Sequence, residues 1–307
     1  MSVTRTTDST AVPSSDTNLP VTVVQAAKGW VPLDLREVWE YRELLVIMTK
    51  RDLTTRYKQT ILGVAWAVVQ PLLTMTIFSI IFGRIAKLST DGLPYMPFVL
   101  PALIAWTYFS TAMGKGSNSL VGSSFLLKKV YFPRIIIPLT STIAPLADFV
   151  IAFITLTPVL LYFGQIPHLQ VVFLPLFLLL AYVFALGIAL WLSALNVQFR
   201  DVQHVIPFLT MILMYASPIA YPSNVWHSEK YPYLESIVLI NPLAQVAEGF
   251  RWCLLTFDPV KAAAAGLPVR TYAPDWHTAV SILVALAVLV SGAYVFRRME
   301  RTFADVV

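Results

Sequence analysis

Apolar positions along this chain come in long runs separated by short polar connectors. Six runs are candidate membrane spans, at about 61–83, 94–113, 135–163, 171–195, 204–221 and 278–296, the third interrupted by prolines. At about 1.5 Å rise per residue each reaches across a hydrocarbon core of about 30 Å, the fifth only barely. The residues between the fifth and sixth runs form no clean span. Positions 237–240 are apolar, Asn241-Pro242 interrupts them, and Glu248 and Arg251 follow. The pattern predicts two short helices that re-enter the membrane from one side, shielded by protein where their backbone ends are unsatisfied.

Upstream of the first run the period changes. Val38, Tyr41, Leu44, Leu45 and Met48 recur three and four apart, a single helical stripe. Glu37, Glu40, Glu43, Lys50, Arg51 and Lys58 lie mostly off that stripe. Asp52 and Arg56 enter its face further along, four apart and of opposite sign, a spacing that predicts a pair. The reading adopted is a helix at the membrane surface whose second half meets something polar; an exposed cytosolic helix with solvated charges is the alternative. Residues 1–20 hold 14 Ser, Thr, Asp, Asn or Pro and have little to bury, so they read as a disordered tail. No apolar segment of the kind that marks a cleaved leader follows Arg5. The expected organisation is a tail over 1–29, an amphipathic interfacial helix over 30–60 and a six-span domain over 61–307.

Composition agrees. Hydrophobic residues make up 57% of the 307 and charged ones 13%, against about 25% charged in soluble domains. Mean hydropathy is +0.69. No soluble domain of this size has an interior that could hide so much apolar surface. The expected fold class is therefore an all-α polytopic membrane protein with six transmembrane helices, an N-terminal interface helix and two re-entrant helices.

The net charge of +5 is informative through its placement, and it does not point to nucleic acid. With six spans and a cytoplasmic N-terminus, 16 of the 22 Lys and Arg fall inside, including Lys115, Lys128, Lys129, Arg134, Arg297, Arg298 and Arg301. A seventh span would put the last three outside, against the positive-inside bias. Both termini are expected in the cytoplasm.

Candidate chemistry is sparse. Ionisable residues inside a membrane are expensive and mostly functional, yet Asp148 is the clear case in these spans. A structural bond to a neighbouring helix and a proton relay both fit it, and the structural bond is preferred. Glu248 and Arg251, three apart, read as a local pair. The four His are scattered without metal-ligand spacing, and the single Cys253 excludes an internal disulfide. Gly114-Lys115-Gly116 lacks the upstream Gly and following Ser/Thr of a phosphate loop, so any nucleotide energy must come from another polypeptide. No catalytic, cofactor-binding or metal residue is nominated.

Trp66, Trp106, Tyr108, Trp191 and Tyr215 fit interfacial aromatic belts, and the same rings could stack on sugars passing through a pore. The segment 114–134, GKGSNSLVGSSFLLKKVYFPR, is too polar to span and too long for a turn. Its Phe125-Leu126-Leu127 knob beside Lys128-Lys129 suits a short helix docking on a soluble partner, or one lying among lipid headgroups.

Four segments carry a family resemblance. KRDLTTRYKQTILGVAWAVVQPLLTMTIFSIIFG at 50–83, FLLKKVYFPR after the second run, FRDVQHVIPFLTMILMYASPIAYP at the fifth and INPLAQVAEGFRW in the re-entrant segment resemble ABC-2-type permeases that export polysaccharide. Together they cover about 35–300 in the expected order. The resemblance implies a homodimer of permease chains above two copies of a nucleotide-binding ATPase, which would carry the ATP and Mg. The substrate it implies is a lipid-linked polysaccharide, O-antigen first, moved from cytoplasm to periplasm through the bacterial inner membrane. Teichoic acid or capsule export is the nearest alternative.

By the same resemblance, Leu62 and Gly63 match the gate admitting the lipid-linked substrate. The interface helix, with Asp52 and Arg56, and the later short helix, with Phe125, Leu126, Lys128 and Lys129, would couple to the ATPase. Trp66 and Gln70 on the first span, Tyr108 on the second and Phe208, Met211 and Tyr215 on the fifth would lie along the substrate path. Two rivals come from other classes. An embedded glycosyltransferase would need clustered acids or bases near one membrane face, and an ion-coupled lipid or drug transporter would need more than one embedded acid.

Overall fold

A computed structural model of the chain describes residues 35–58, 62–88, 90, 93–129, 132–166, 168–226, 233–256, 272–300 and 303, together with 2–3 and 24–25. The N-terminal pairs form a short antiparallel ladder of β1 (Ser2–Val3) and β2 (Val24–Gln25). Every other regular element among the described residues is helical.

Two helices precede the first span, α1 (Leu35–Glu40) and α2 (Arg42–Lys58). The span itself is α3 (Leu62–Phe78), prolonged by a π-helical segment at Ser79–Ile85. Next come α4 (Tyr95–Gly122), α5 (Ser124–Lys129) and a broken third span, α6 (Ile136–Ile143) and α7 (Pro145–Tyr162). The break sits where Pro145 lacks the N–H that a continuous helix would use. A 3₁₀ turn leads into α8 (Leu174–Gln198), followed by α9 (Val202–Ala216). The two short helices foreseen between the fifth and sixth runs are α10 (Tyr233–Leu239) and α11 (Pro242–Leu254), and α12 (Trp276–Met299) is last. Asn241 caps α11 by accepting a 3.0 Å bond from the Leu243 amide, with Pro242 in the first helical turn, so the sequence break at Asn-Pro is a helix start.

Among the described residues five helical stretches are long and apolar enough to cross a membrane. The chain is an all-α, multi-pass membrane protein. The expected fifth span is the exception: α9 has 15 residues, about 22 Å of helix, short of a core of about 30 Å. It ends because Ser217, pushed to an extended conformation (φ −112°, ψ 143°), precedes Pro218.

The segment 114–134 also differs from its sequence reading, because its first nine residues continue the preceding helix. The second span does not stop near 113 but runs on in α4 to Gly122. Gly116, Ser117 and Ser119, which looked like part of a connector, are packing residues. Ser117 bonds back to the Met113 carbonyl at 2.7 Å, and a Cβ on Gly116 would come within 2.6 Å of the Ala189 Cβ and 2.8 Å of the Thr142 methyl. Small residues let helices approach this closely inside a membrane, where burial against lipid gives little drive.

The centre of the bundle is α8, apolar around its whole circumference, which packs on α4 along one side and on α12 along the other. Phe109 of α4 stacks on Phe184 of α8 at 5.6 Å, and Phe149 of α7 meets Phe250 of α11 edge-on at 5.9 Å. α3 leans on α7 and α4, while α9 rests on α4 and α8, so both flank the core and keep an outward face.

Candidate functional site

At one end of the bundle lies α2. The predicted stripe runs across α1 and α2, which a turn at Tyr41 separates, and it packs on protein: Met48, with the partly buried Val38, Tyr41, Leu44 and Leu45, lies among Phe132, Ile136, Leu190, Phe296 and Phe303. Trp39, Val46 and Ile47 remain exposed, with Arg42 set 5.7 Å above the Trp39 ring.

The pairing of Asp52 with Arg56 does not form. Asp52 accepts from its neighbour Arg51 at 3.0 Å, and Arg56 reaches instead to the carboxylate of Asp148 in the first turn of α7. The spacing rule gives way because Asp148 is only 14% exposed, and a carboxylate so enclosed gains more from a guanidinium than Asp52 does at the solvated surface. The sequence reading of Asp148 as the partner of a neighbouring helix holds; the identity of that partner was beyond local spacing. Arg56 and Asp148 line a small cleft between α3, α4 and α7, with Gln70, Thr107, Tyr108 and Phe149 also on its walls.

In α5, Phe125 is 67% exposed, Leu126 is half-buried and Leu127 is buried against the α2 cluster, so the apolar knob is divided between anchoring and display. Leu62, Gly63 and Trp66 fall in α3, and Lys128 and Lys129 in α5; beyond that helical backbone they lie outside the described residues.

The nominated path residues separate into two groups. Phe208, Met211 and Tyr215 stand three and four apart on one exposed face of α9, beside Val205 and Ile212, and Ile206 is that helix's only buried residue. Gln70 is exposed on α3 among Val69, Leu73 and Ile77, and its side also borders the cleft. Tyr108 is different. It is 2% exposed, its hydroxyl donates to the Thr142 carbonyl at 3.4 Å, and its ring lies against Phe149, so it reaches only the cleft wall behind α3.

At the other end of the bundle a charged group does more than its sequence neighbours suggest. Arg251 and Glu248 form the expected pair, at 3.3 Å and buried. Arg251 also donates to the Ile219 carbonyl beyond α9 at 2.8 Å and to the Phe98 carbonyl at the start of α4 at 3.3 Å, with its guanidinium 4.0 Å from the centre of the Phe98 ring. One side chain thus fixes α11 to both flanking elements. The Asn241 amide adds a 2.9 Å bond to Ser217 Oγ, and Tyr221 donates to the Tyr215 carbonyl at 2.5 Å. No periodicity announces these contacts, because their acceptors, the Phe98, Ile219 and Tyr215 carbonyls and Ser217 Oγ, lie on other elements or in the turn after α9.

Comparison with known proteins agrees with this arrangement. The ABC-2 type transporter family matches residues 43–255, from α2 through α11. The O-antigen export system permease protein RfbA of Myxococcus xanthus is 30% identical over 217 residues, 71% of this chain and 82% of that protein. Its namesake from Klebsiella pneumoniae is 30% identical over 210 residues, 68% of this chain and 79% of that protein. The polysialic acid transport protein KpsM of Escherichia coli is 27% identical over 206 residues, 64% of this chain and 76% of that protein. With a family match over most of its length and helices to carry it across a membrane, the chain belongs to the ABC-2 type transporters.

Proposed function

We propose that this chain is the membrane-spanning permease subunit of an ATP-driven exporter that moves a lipid-linked polysaccharide, O-antigen, from cytoplasm to periplasm. It works in the inner membrane as a homodimer with two copies of a separate ATP-hydrolysing subunit, and ATP and Mg belong to that partner. The carrying observation is the similarity, at 30% identity over about 70% of the chain, to O-antigen export permeases from two organisms.

The geometry supports this reading. The outward faces of α3 and α9 leave Gln70, Phe208, Met211 and Tyr215 uncovered, which suits a passage shared between two protomers. On the cytoplasmic side α1, α2 and α5 present Trp39, Val46, Ile47 and Phe125 to a soluble partner. The bond from Arg56 to Asp148 links that surface to the third span, so a push on α2 during ATP turnover reaches the bundle. The excess of Lys and Arg on the segments holding α2 and α5 orients both termini to the cytoplasm.

Capsule or teichoic acid export is the second reading, favoured by the likeness to the polysialic acid permease. An ion-coupled transporter fits less well, because the embedded acid it would use, Asp148, is already engaged by Arg56.

The test is a pull-down of the tagged chain from its native host, followed by an ATPase assay and by scoring surface polysaccharide in a deletion strain. A stoichiometric ATP-hydrolysing partner, vanadate-sensitive turnover and a polysaccharide lost from the surface are the expected results. A chain that arrives alone and a surface that keeps its polysaccharide overturn the proposal.

A further inference from the structure

A solvent-open cleft lies between α10, α11 and the start of α12. It is at the end opposite α2: His277 opens α12, whereas Phe296, about 28 Å along the same helix, packs in the cluster that holds Met48. The walls carry Glu235, Gln245, Glu248, Tyr272, Asp275 and His277, and no Lys or Arg is among the described lining residues.

Several of these groups are held in place from behind. Glu248 is fixed by Arg251, and the Gln245 amide is oriented by donating to the Leu239 carbonyl at 2.9 Å while accepting from Thr278 Oγ1 at 2.8 Å. Asp275 caps α12 through the His277 amide at 3.0 Å, and its other oxygen lies 2.6 Å from His277 Nδ1. A ring nitrogen facing a carboxylate carries a proton, so Nδ1 is committed to Asp275 and Nε2 is the ring's other polar atom. That Nε2 is buried and has no hydrogen-bond partner among the described residues. The cleft wall is therefore rich in acceptors positioned in advance, and His277 adds to it a buried ring nitrogen without a partner among the described residues.

Such a wall selects a ligand that brings many donors and no negative charge. Sugar hydroxyls meet both conditions, whereas phosphate and carboxylate groups are repelled. The connection to the α9 face is aromatic: Ser223 borders the cleft, and Tyr221 and Trp226 on either side of it are joined by a 3.2 Å bond from the indole N–H, with the Tyr221 hydroxyl tied back to Tyr215. Rings of this kind offer apolar faces to sugars and polar edges to water.

We propose that this cleft is a saccharide-binding vestibule that takes up uncharged, hydroxyl-rich sugar units as they leave the α9 face. The proposal rests on the reading of the chain as a polysaccharide permease. It adds to that reading a second binding site, at the outer end, and a preference for neutral over acidic glycans. By holding the leading sugars, the vestibule biases the polymer against sliding back between cycles of the ATPase.

The experiment uses the purified permease–ATPase complex in nanodiscs. The probe is glycan released by mild acid from the host's own lipid-linked pool and labelled at its reducing end, with a polysialic acid oligomer of similar length as the anionic comparison. The wild type is expected to bind the host glycan saturably and the anionic oligomer at least tenfold more weakly. Glu235→Leu and His277→Phe, the latter keeping a ring against Trp276, should each weaken host-glycan binding by about 3- to 10-fold, the loss of one or two hydrogen bonds. Basal ATP hydrolysis and co-purification of the partner should be unchanged in both. Equal affinity in both variants, equal affinity for the anionic oligomer, or no saturable binding by a complex that still exports overturns the vestibule. Loss of the ATPase partner from the wild-type preparation overturns the permease reading instead, so the two failures are distinct.

Discussion

Gly187 of α8 and Gly292 of α12 meet backbone to backbone: a Cβ on Gly292 would lie 2.4 Å from the Gly187 carbonyl oxygen, and one on Gly187 would lie 2.8 Å from the Leu289 amide nitrogen. The indole N–H of Trp191 donates to Ser291 Oγ at 3.1 Å one turn away, so the crossing is both tight and bonded. Neither backbone can retreat without disturbing the helix that holds the bundle together. Gly292→Ala should therefore destabilise the protein by about 1–3 kcal/mol, an overpacking penalty. Gly114→Ala is the control, since a Cβ there meets nothing within 4 Å and alanine is the better helix former by up to about 1 kcal/mol. Thermal unfolding in detergent should move in opposite directions for the two variants, and a Gly292→Ala protein that melts with the wild type contradicts the crossing.

Arg251 is fully buried, and its guanidinium serves Glu248 and two backbone carbonyls from separate elements. Arg251→Met keeps much of the volume but strips the charge that compensates a carboxylate in a closed site. Removing one partner of such a pair costs about 3–5 kcal/mol. Arg251→Lys should recover only a fraction, because an ammonium cannot address three acceptors in a fixed fork. Unfolding by denaturant measures both, and a midpoint for Arg251→Met equal to that of the wild type would show that the clamp bears no weight.

The spans were legible in the sequence because a membrane leaves the backbone few options, and a helix long enough to cross must be apolar for about twenty residues. The short pair α10 and α11 was legible for a local reason too, since Asn241-Pro242 is both a stop for one helix and a cap for the next. Residues 114–122 were misjudged because Gly and Ser mark loops in water, whereas here Gly116 marks close packing against Ala189 and Thr142. Arg56 and Asp148 lie 92 residues apart, and helical spacing, which sees only three or four, assigned Arg56 to Asp52. The cleft between α10, α11 and α12 was invisible for a similar reason: Gln245, Asp275 and His277 converge only once α11 and α12 have packed.

Phe125 stands out of α5, 67% exposed, while Leu127 two residues on is buried, so the ring is displayed at the surface. Phe125→Asp should leave folding intact, since surface substitutions usually fall within about 0.5 kcal/mol. It should reduce recovery of the ATPase subunit by about tenfold or more and lower export with it, because an anchor ring at an interface commonly carries about 2 kcal/mol. Undiminished co-purification would remove Phe125 from the docking surface and leave it to the lipid headgroups.

The outward face of α9 separates a path from a scaffold on a single short helix. Phe208 and Tyr215 are exposed by more than half, while Ile206 is 3% exposed and turned into the bundle. If sugars slide along that face, Phe208→Ala and Tyr215→Ala remove stacking surface without touching the core. Each should slow export by about 2- to 10-fold, the value of one aromatic contact of about 0.5–1.5 kcal/mol, while the assembled complex hydrolyses ATP as before. Ile206→Ala should do the reverse, lowering stability by about 2–5 kcal/mol through the cavity it leaves. Trp66→Ala on α3 belongs with the first pair if the path is shared between the first and fifth spans. Export timed by the appearance of surface polysaccharide, set beside melting of the purified complex, distinguishes the two classes. Normal export kinetics in both Phe208→Ala and Tyr215→Ala would assign the α9 face to lipid and move the passage elsewhere in the dimer.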